Sequence, residues 1–155
     1  MTRTYSAWQR LSGLPLGLGR LLFSAGMVAR VPYFGTVLPR VVGLRPGYCE
    51  VAAPKWWGVH NHLGTFHAIA ACNLAEVAMG MLAEATVPAT HRWIPRGMTV
   101  EYLAPGRSGL RAIAQLPEIP RFDGKVDLPV PVRLVDRGGT TVVTATITVL
   151  VSPKK

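Results

Sequence analysis

Residues 66–83, FHAIAACNLAEVAMGMLA, are rich in good helix formers, and from Ala68 to Ala83 the only strongly polar side chains are Asn73 and Glu76. A helix apolar on every side has to be buried, so the rest of the chain must wrap it. The longest stretch free of formal charge, residues 56–75, carries His60, Asn61, His62, Gly64, His67 and Asn73. No lipid-facing helix would hold those side chains together, so the stretch is read as core and not as a membrane span.

The wrapping material is legible on both sides of the helix. After Pro88, Met98, Val100 and Tyr102 alternate with Thr99, Glu101 and Leu103; residues 109–116 form a second run and 130–134 a third. Asp136-Arg137-Gly138-Gly139 then turns the chain into residues 140–151, where threonines alternate with apolar residues, a hairpin signal. Pro129 and Pro131 cannot donate ladder bonds, which places their strand at an edge or puts a bulge at its start. Two short strand candidates, 36–44 and 47–53, precede the helix. Residues 1–30 form an arm of one or two short helices, interrupted by Gly13, Pro15, Gly17 and Gly19. The expectation is an α+β protein: a helical arm at 1–30, then a domain at 31–155 in which a curved antiparallel sheet wraps one central helix. At 155 residues the whole is one domain.

An apolar content of 49% against 16% charged excludes disorder. Cys49 and Cys72 form no C-x-x-C pair, so both are read as small core residues in a reducing compartment. Arg3, Arg10 and Arg20 break any signal-peptide apolar region, and a cytoplasmic location is expected. The net charge of +9 is laid out unevenly, with six arginines preceding the first acid, Glu50. They are single and spaced, with no basic run and no aromatic interleaving, which argues against nucleic acid. A small polyphosphate ligand or peripheral contact with an anionic membrane fits better. A solvated basic surface accounts for most of the arginines under either reading.

The chemistry is concentrated in residues 61–76, NHLGTFHAIAACNLAE. Gly64-Thr65 supplies a turn and a cap, so free N–H groups should point outward near Phe66, His67 and Ala68, with the positive end of the helix dipole behind them. Such an end can polarise a carbonyl or hold an oxyanion. Glu76 lies nearly three turns on in apolar surroundings, where an unpaired carboxylate is costly, with Asn73 three residues before it and able to share its face. The separation of His67 and Glu76 is roughly 13 Å of helix rise, too far for both to act on one thioester or ester. A second copy laid antiparallel would bring the helix start of one subunit to the middle of the other, making two equivalent sites and covering the exposed helix face.

Asn61-x-x-Gly64-x-x-His67, followed nine residues later by Glu76, resembles the signature of hotdog-fold thioesterases of the phenylacetyl-CoA thioesterase type. The likeness is closest to a hotdog branch filed as a domain of unknown function, in which segments like Pro32-Tyr33-Phe34-Gly35 and residues 92–98 recur, and it covers about residues 20–115. It implies acyl-CoA hydrolysis without a cofactor by a homodimer that can pair again into a tetramer. Glu76 of one subunit would be general base or nucleophile, and the Ala68 N–H of the other would polarise the thioester oxygen. By the same likeness Asn61 orients the water or the carboxylate and His67 stabilises the helix start or touches the thioester. Gly64 and Asn73 would shape the substrate site, and Arg92, Arg96 or Arg121 would meet the phosphates of coenzyme A. The two glycines that follow the histidine in better-known thioesterases are Ala68 and Ile69 here, which sets a branched side chain where a thioester approaches.

Other readings compete. His60 and His62 would share a strand face, with a spacing that resembles cupins, but the glutamate that metal site needs is replaced by Thr65, Phe66 and His67, so no metal is expected. His62 precedes Glu76 by the spacing of hydroxyacyl-thioester dehydratases, without the proline-glycine pattern between them. A non-catalytic dimer binding acyl-CoA or lipid explains the basic arm equally well. Glu76 without catalysis would be bonded to Asn73 or to a partner chain. Trp56 and Trp57 are read as capping the core, Met79 and Met81 as core packing, and His91 as a loop residue.

Overall fold

The computed structural model describes residues 2–154, so Met1 and Lys155, the outermost residues of the expected arm and domain, lie outside it. The arm forms two helices, α1 (Arg3–Leu11) and α2 (Leu18–Arg30), joined by a 3-10 turn at Pro15–Gly17. Thr2 caps α1 by accepting the Tyr5 N–H at 3.2 Å. The helices meet so closely at Gly19 that a Cβ there would collide with the Leu11 carbonyl. Trp8 of α1 and Phe23 of α2, both buried, pack edge to face at 5.2 Å and join the same core as the sheet.

The long helix α3 (Ala68–Thr86) is wrapped by six antiparallel strands: β1 (Arg40–Arg45), β2 (Tyr48–Ala53), β3 (His91–Tyr102), β4 (Leu110–Gln115), β5 (Val126–Val135) and β6 (Thr141–Pro153). Their order in the sheet is β1-β2-β4-β5-β6-β3. This is the hotdog arrangement, an α+β fold in which Leu74, Met79 and Leu82 of α3 are fully buried together with Val51, Leu110, Leu134 and Ile147 of the sheet. Removing one such leucine side chain costs about 2–5 kcal/mol. Among the described residues α3 alone has the length and hydropathy of a membrane span, and it is mostly buried inside the sheet.

Several expectations need correcting. The helix runs from 68 to 86 instead of 66 to 83, because Phe66 and His67 spend their N–H groups on the Gly106 and Val59 carbonyls before the first helical turn. At the far end, Val87-Pro88 stops it. β5 is an interior strand. Its prolines are tolerated because β4 ends at the Ala114–Val132 pair, so residues 126–131 have a neighbour only in β6. His60 and His62 lie in the loop before α3 rather than on a strand, and His91 begins β3 rather than lying in a loop. Trp57 is exposed while Trp56 packs on the core, and Cys72 is only half-buried. Cys49 is buried, which pushes its thiol pKa up. Met79 and Met81 are core residues.

The two outer strands differ. On β1 the Val41 N–H is taken by Ser24 Oγ of α2 at 3.0 Å. β3, twelve residues long, pairs only with β6 and is exposed or half-exposed throughout, with a bulge at Pro95–Gly97.

Candidate functional site

Three local structures converge on the start of α3. The loop before it is organised by Asn61, whose Oδ1 accepts the Leu63 and Thr65 N–H groups at 3.0 and 3.1 Å while Nδ2 donates to Thr65 Oγ1 at 2.8 Å. Gly64 takes the left-handed backbone (φ +69°) that closes this turn. An isolated bridge between His60 and Phe66 fixes the base of the loop. One amide hydrogen of Asn61 is left over by these bonds.

The cap is His67, not Thr65. Its backbone is extended and its Nδ1 accepts the Ile69 N–H at 3.0 Å. With Nδ1 accepting, the ring hydrogen is carried on Nε2. The first amide of α3, at Ala68, has no acceptor among the described residues. Ile69 beside it is exposed. The structure thus supplies the donor at Ala68 and removes those expected at Phe66 and His67.

Glu76 sits on the face of α3 that looks toward β3. Residues 72, 76, 80 and 84 share that face at four-residue spacing. Cys72 Sγ lies 3.2 Å from the Tyr102 hydroxyl, a Cβ on Gly80 would stand 3.3 Å from the Trp93 ring, and Trp93 Nε1 donates to Glu84 Oε1 at 3.1 Å. By that spacing Glu76 falls along the helix between the Tyr102 and Trp93 contacts, while α3 packs mainly on β1, β2, β4 and β5. It is half-buried and has no hydrogen bond or ion pair among the described residues. The contact with Cys72, and then burial, raises the Tyr102 phenol pKa above its ordinary value.

Asn73 does not bond to Glu76. It is 7% exposed and its amide is engaged elsewhere, Nδ2 donating to Thr36 Oγ1 at 2.9 Å and reaching the Tyr33 carbonyl at 3.4 Å. Those residues belong to the 3-10 segment Pro32–Val37, which the sequence reading did not connect with the helix. The signal was present in the Pro32-Tyr33-Phe34-Gly35 segment, but its partner across the fold was not. Asn73 Oδ1 is buried without a partner among the described residues, and Asn73 lines a cavity of about 260 Å³ with Tyr33, Thr36, Gly58, His67 and Ala70.

The arginines are less committed to the site. Arg92 Nε donates to Ser152 Oγ at 3.3 Å, and Arg96 pairs with Asp127 at 3.0 Å, both arginines being exposed on β3. Arg121 is exposed in the loop before β5. No three His, Cys, Asp or Glu side chains among the described residues are grouped to hold a metal.

Comparison with known proteins places this geometry in context. A family model described as a domain of unknown function, DUF4442, matches residues 19–151. A structural-genomics crystal structure whose description gives no activity is 42% identical, with a TM-score of 0.84 over 97% of this chain and 99% of that one. A Pseudomonas aeruginosa protein of unknown function, described as a probable thioesterase, is 27% identical with a TM-score of 0.75, covering 91% of this chain and 97% of its own. A Staphylococcus aureus thioesterase shares the fold at 15% identity and a TM-score of 0.69, over 79% of this chain and 99% of that one. No curated protein matches the sequence.

Proposed function

The chain belongs to the DUF4442 family, and we propose that it hydrolyses acyl-CoA thioesters to free acid and coenzyme A at a site shared between two subunits. The observation that carries this reading is Glu76, a half-buried carboxylate on an apolar helix with no partner among the described residues. Leaving such a group unpaired disfavours the folded state unless a substrate, a water or another subunit engages it. The probable-thioesterase description of the Pseudomonas relative supports the reaction class.

Ala68 and Glu76 are eight residues apart, about 12 Å of helix rise, so one chain cannot bring both to a single carbonyl. Pairing of two copies along the free edge of β3 would set their α3 helices side by side and cover Ile69, Cys72, Tyr102 and Leu103. In that arrangement Glu76 takes a proton from water as the water oxygen attacks the thioester carbon. The oxyanion then forms against the Ala68 N–H of the other subunit. Collapse breaks the carbon–sulfur bond, and the departing thiolate takes up the proton. With Glu76 as nucleophile, its carboxylate displaces the coenzyme A thiolate, which takes a proton from solvent, and water then hydrolyses the acyl anhydride to free acid and the Glu76 carboxylate. Asn61 and Gly64 hold the loop that presents the helix start; the spare amide hydrogen of Asn61 and the Nε2–H of His67 are free to hold water or the thioester. Asn73 anchors the helix, and Arg92, Arg96 and Arg121 are the cations available to coenzyme A phosphates, with Arg96 having to leave or share Asp127.

The test is free-thiol release over a series of acyl-CoA chain lengths, with Glu76→Gln alongside. Release should collapse in the variant while acyl-CoA binding survives; unchanged release removes the mechanism. Binding without release for any acyl group would support the non-catalytic reading, which the side chain of Ile69 beside the Ala68 N–H favours.

A further inference from the structure

The arm between α1 and α2 is apolar where it should be wet. Leu14, Leu16, Leu18, Leu21 and Leu22 are all exposed, and Leu16, completely so, stands at the apex of the 3-10 turn in left-handed backbone (φ +57°) that leucine rarely adopts. Ala25 and Ala29 continue the same outward stripe of α2, whose opposite face buries Phe23, Ser24 and Met27. A monomer surface seldom leaves so many large apolar side chains adjacent without a partner. Along the chain their neighbours carry charge of one sign: residues 1–49 hold six arginines and no acid. Beside Leu21 and Ala25 opens a cavity of about 690 Å³ with Arg40, Arg111 and Arg137 on its wall, where Asp136 is the one acid. Arg111 is already paired with Glu50.

We propose that the Leu16 knuckle and the outer face of α2 dock on an anionic lipid bilayer, the leucines entering the acyl boundary and the surrounding arginines meeting phosphate headgroups. An apolar face ringed by cations matches an anionic membrane in both respects. A second copy of the chain matches only one, since a two-fold contact through this face would oppose arginine to arginine. α2 lies over β1, at the edge of the sheet away from β3, so the surface remains open whether or not β3 is paired. Docking of this face on a bilayer does not depend on thioester hydrolysis.

Co-sedimentation of the full chain with phosphatidylcholine vesicles, with and without about one third phosphatidylglycerol, tests it. Binding should require the anionic lipid, weaken with salt, and fall at least about tenfold in a Leu16→Ser/Leu21→Ser/Leu22→Ser variant, whose changed side chains are all exposed. Arg20→Gln/Arg30→Gln should shift the salt dependence while leaving the fold intact by circular dichroism. Failure to bind anionic vesicles, or undiminished binding by the triple serine variant, overturns the proposal. So does sedimentation velocity showing that the serine substitutions halve the oligomer of a protein that ignores vesicles, because the occupant is then a second copy.

Discussion

His67 Nδ1 accepts the Ile69 N–H at 3.0 Å, so the residue that resembles a catalytic histidine is first of all the cap of the helix on which the site is built. Replacing it with alanine should lower stability by about 1 kcal/mol, the usual cost of losing a cap, while His67→Asn should restore most of that loss. Urea unfolding of the two variants checks it. If thiol release stays low in the stable asparagine variant, Nε2 has a role at the thioester beyond capping.

Glu76→Gln should reduce hydrolysis at least about a hundredfold. It should change stability by less than about 0.5 kcal/mol, since Glu76 has no partner among the described residues to lose. Thiol-release rates and urea midpoints measured on one preparation separate the two effects.

Ala68→Pro deletes a single N–H at the first helical position, where proline is tolerated, and the extended backbone of His67 suits a following proline. Hydrolysis should fall about 10²–10³-fold with the helix retained. Unfolding and refolding this variant together with Glu76→Gln should recover activity, because the mixed dimer contains one site with both groups intact. A shared site predicts that recovery; a site within one chain predicts none.

Asn73→Ala breaks the bond to Thr36 Oγ1 and loosens the segment Pro32–Val37 from the helix. A loss of about 1–3 kcal/mol is expected, and Thr36→Val should cost a comparable amount because it leaves the buried Asn73 amide with only the 3.4 Å bond to the Tyr33 carbonyl. The double variant should lose less than the sum of the two, which a double-mutant cycle in urea reads directly.

Tyr102 gives a pH signature. Its phenol is raised chiefly by Cys72, so Cys72→Ala should move the phenolate absorbance of one tyrosine to lower pH. The folded form favours the neutral phenol, so its contribution to stability is complete below the ordinary tyrosine pKa and disappears as the pH rises through the raised one. Alkaline titration monitored by absorbance and by unfolding should show both changes in the wild type, each diminished in the variant.

Much of this was legible from residue order. The apolar helix, its lone carboxylate, the hairpin into the last strand and the arm follow from periodicity and turn residues, because these are local patterns. Pro129 and Pro131 gave the right physics but the wrong location: they need a missing neighbour, which a short β4 provides inside the sheet. The cap was misplaced by two residues because Thr65 is drawn into a loop by Asn61, a competition between side chains that spacing does not reveal. The partners of Asn73, some 40 residues away in Tyr33 and Thr36, are a product of packing, as is the closeness of Cys72 to Tyr102.

The uneven treatment of strand rims sets a limit on growth. One rim is plugged by a serine from the arm, and the half-rim left by the short fourth strand presents prolines that have no hydrogen to offer. Among the described strands β3 keeps the longest unpaired rim, so copies joined there would close as a pair rather than propagate into a fibre.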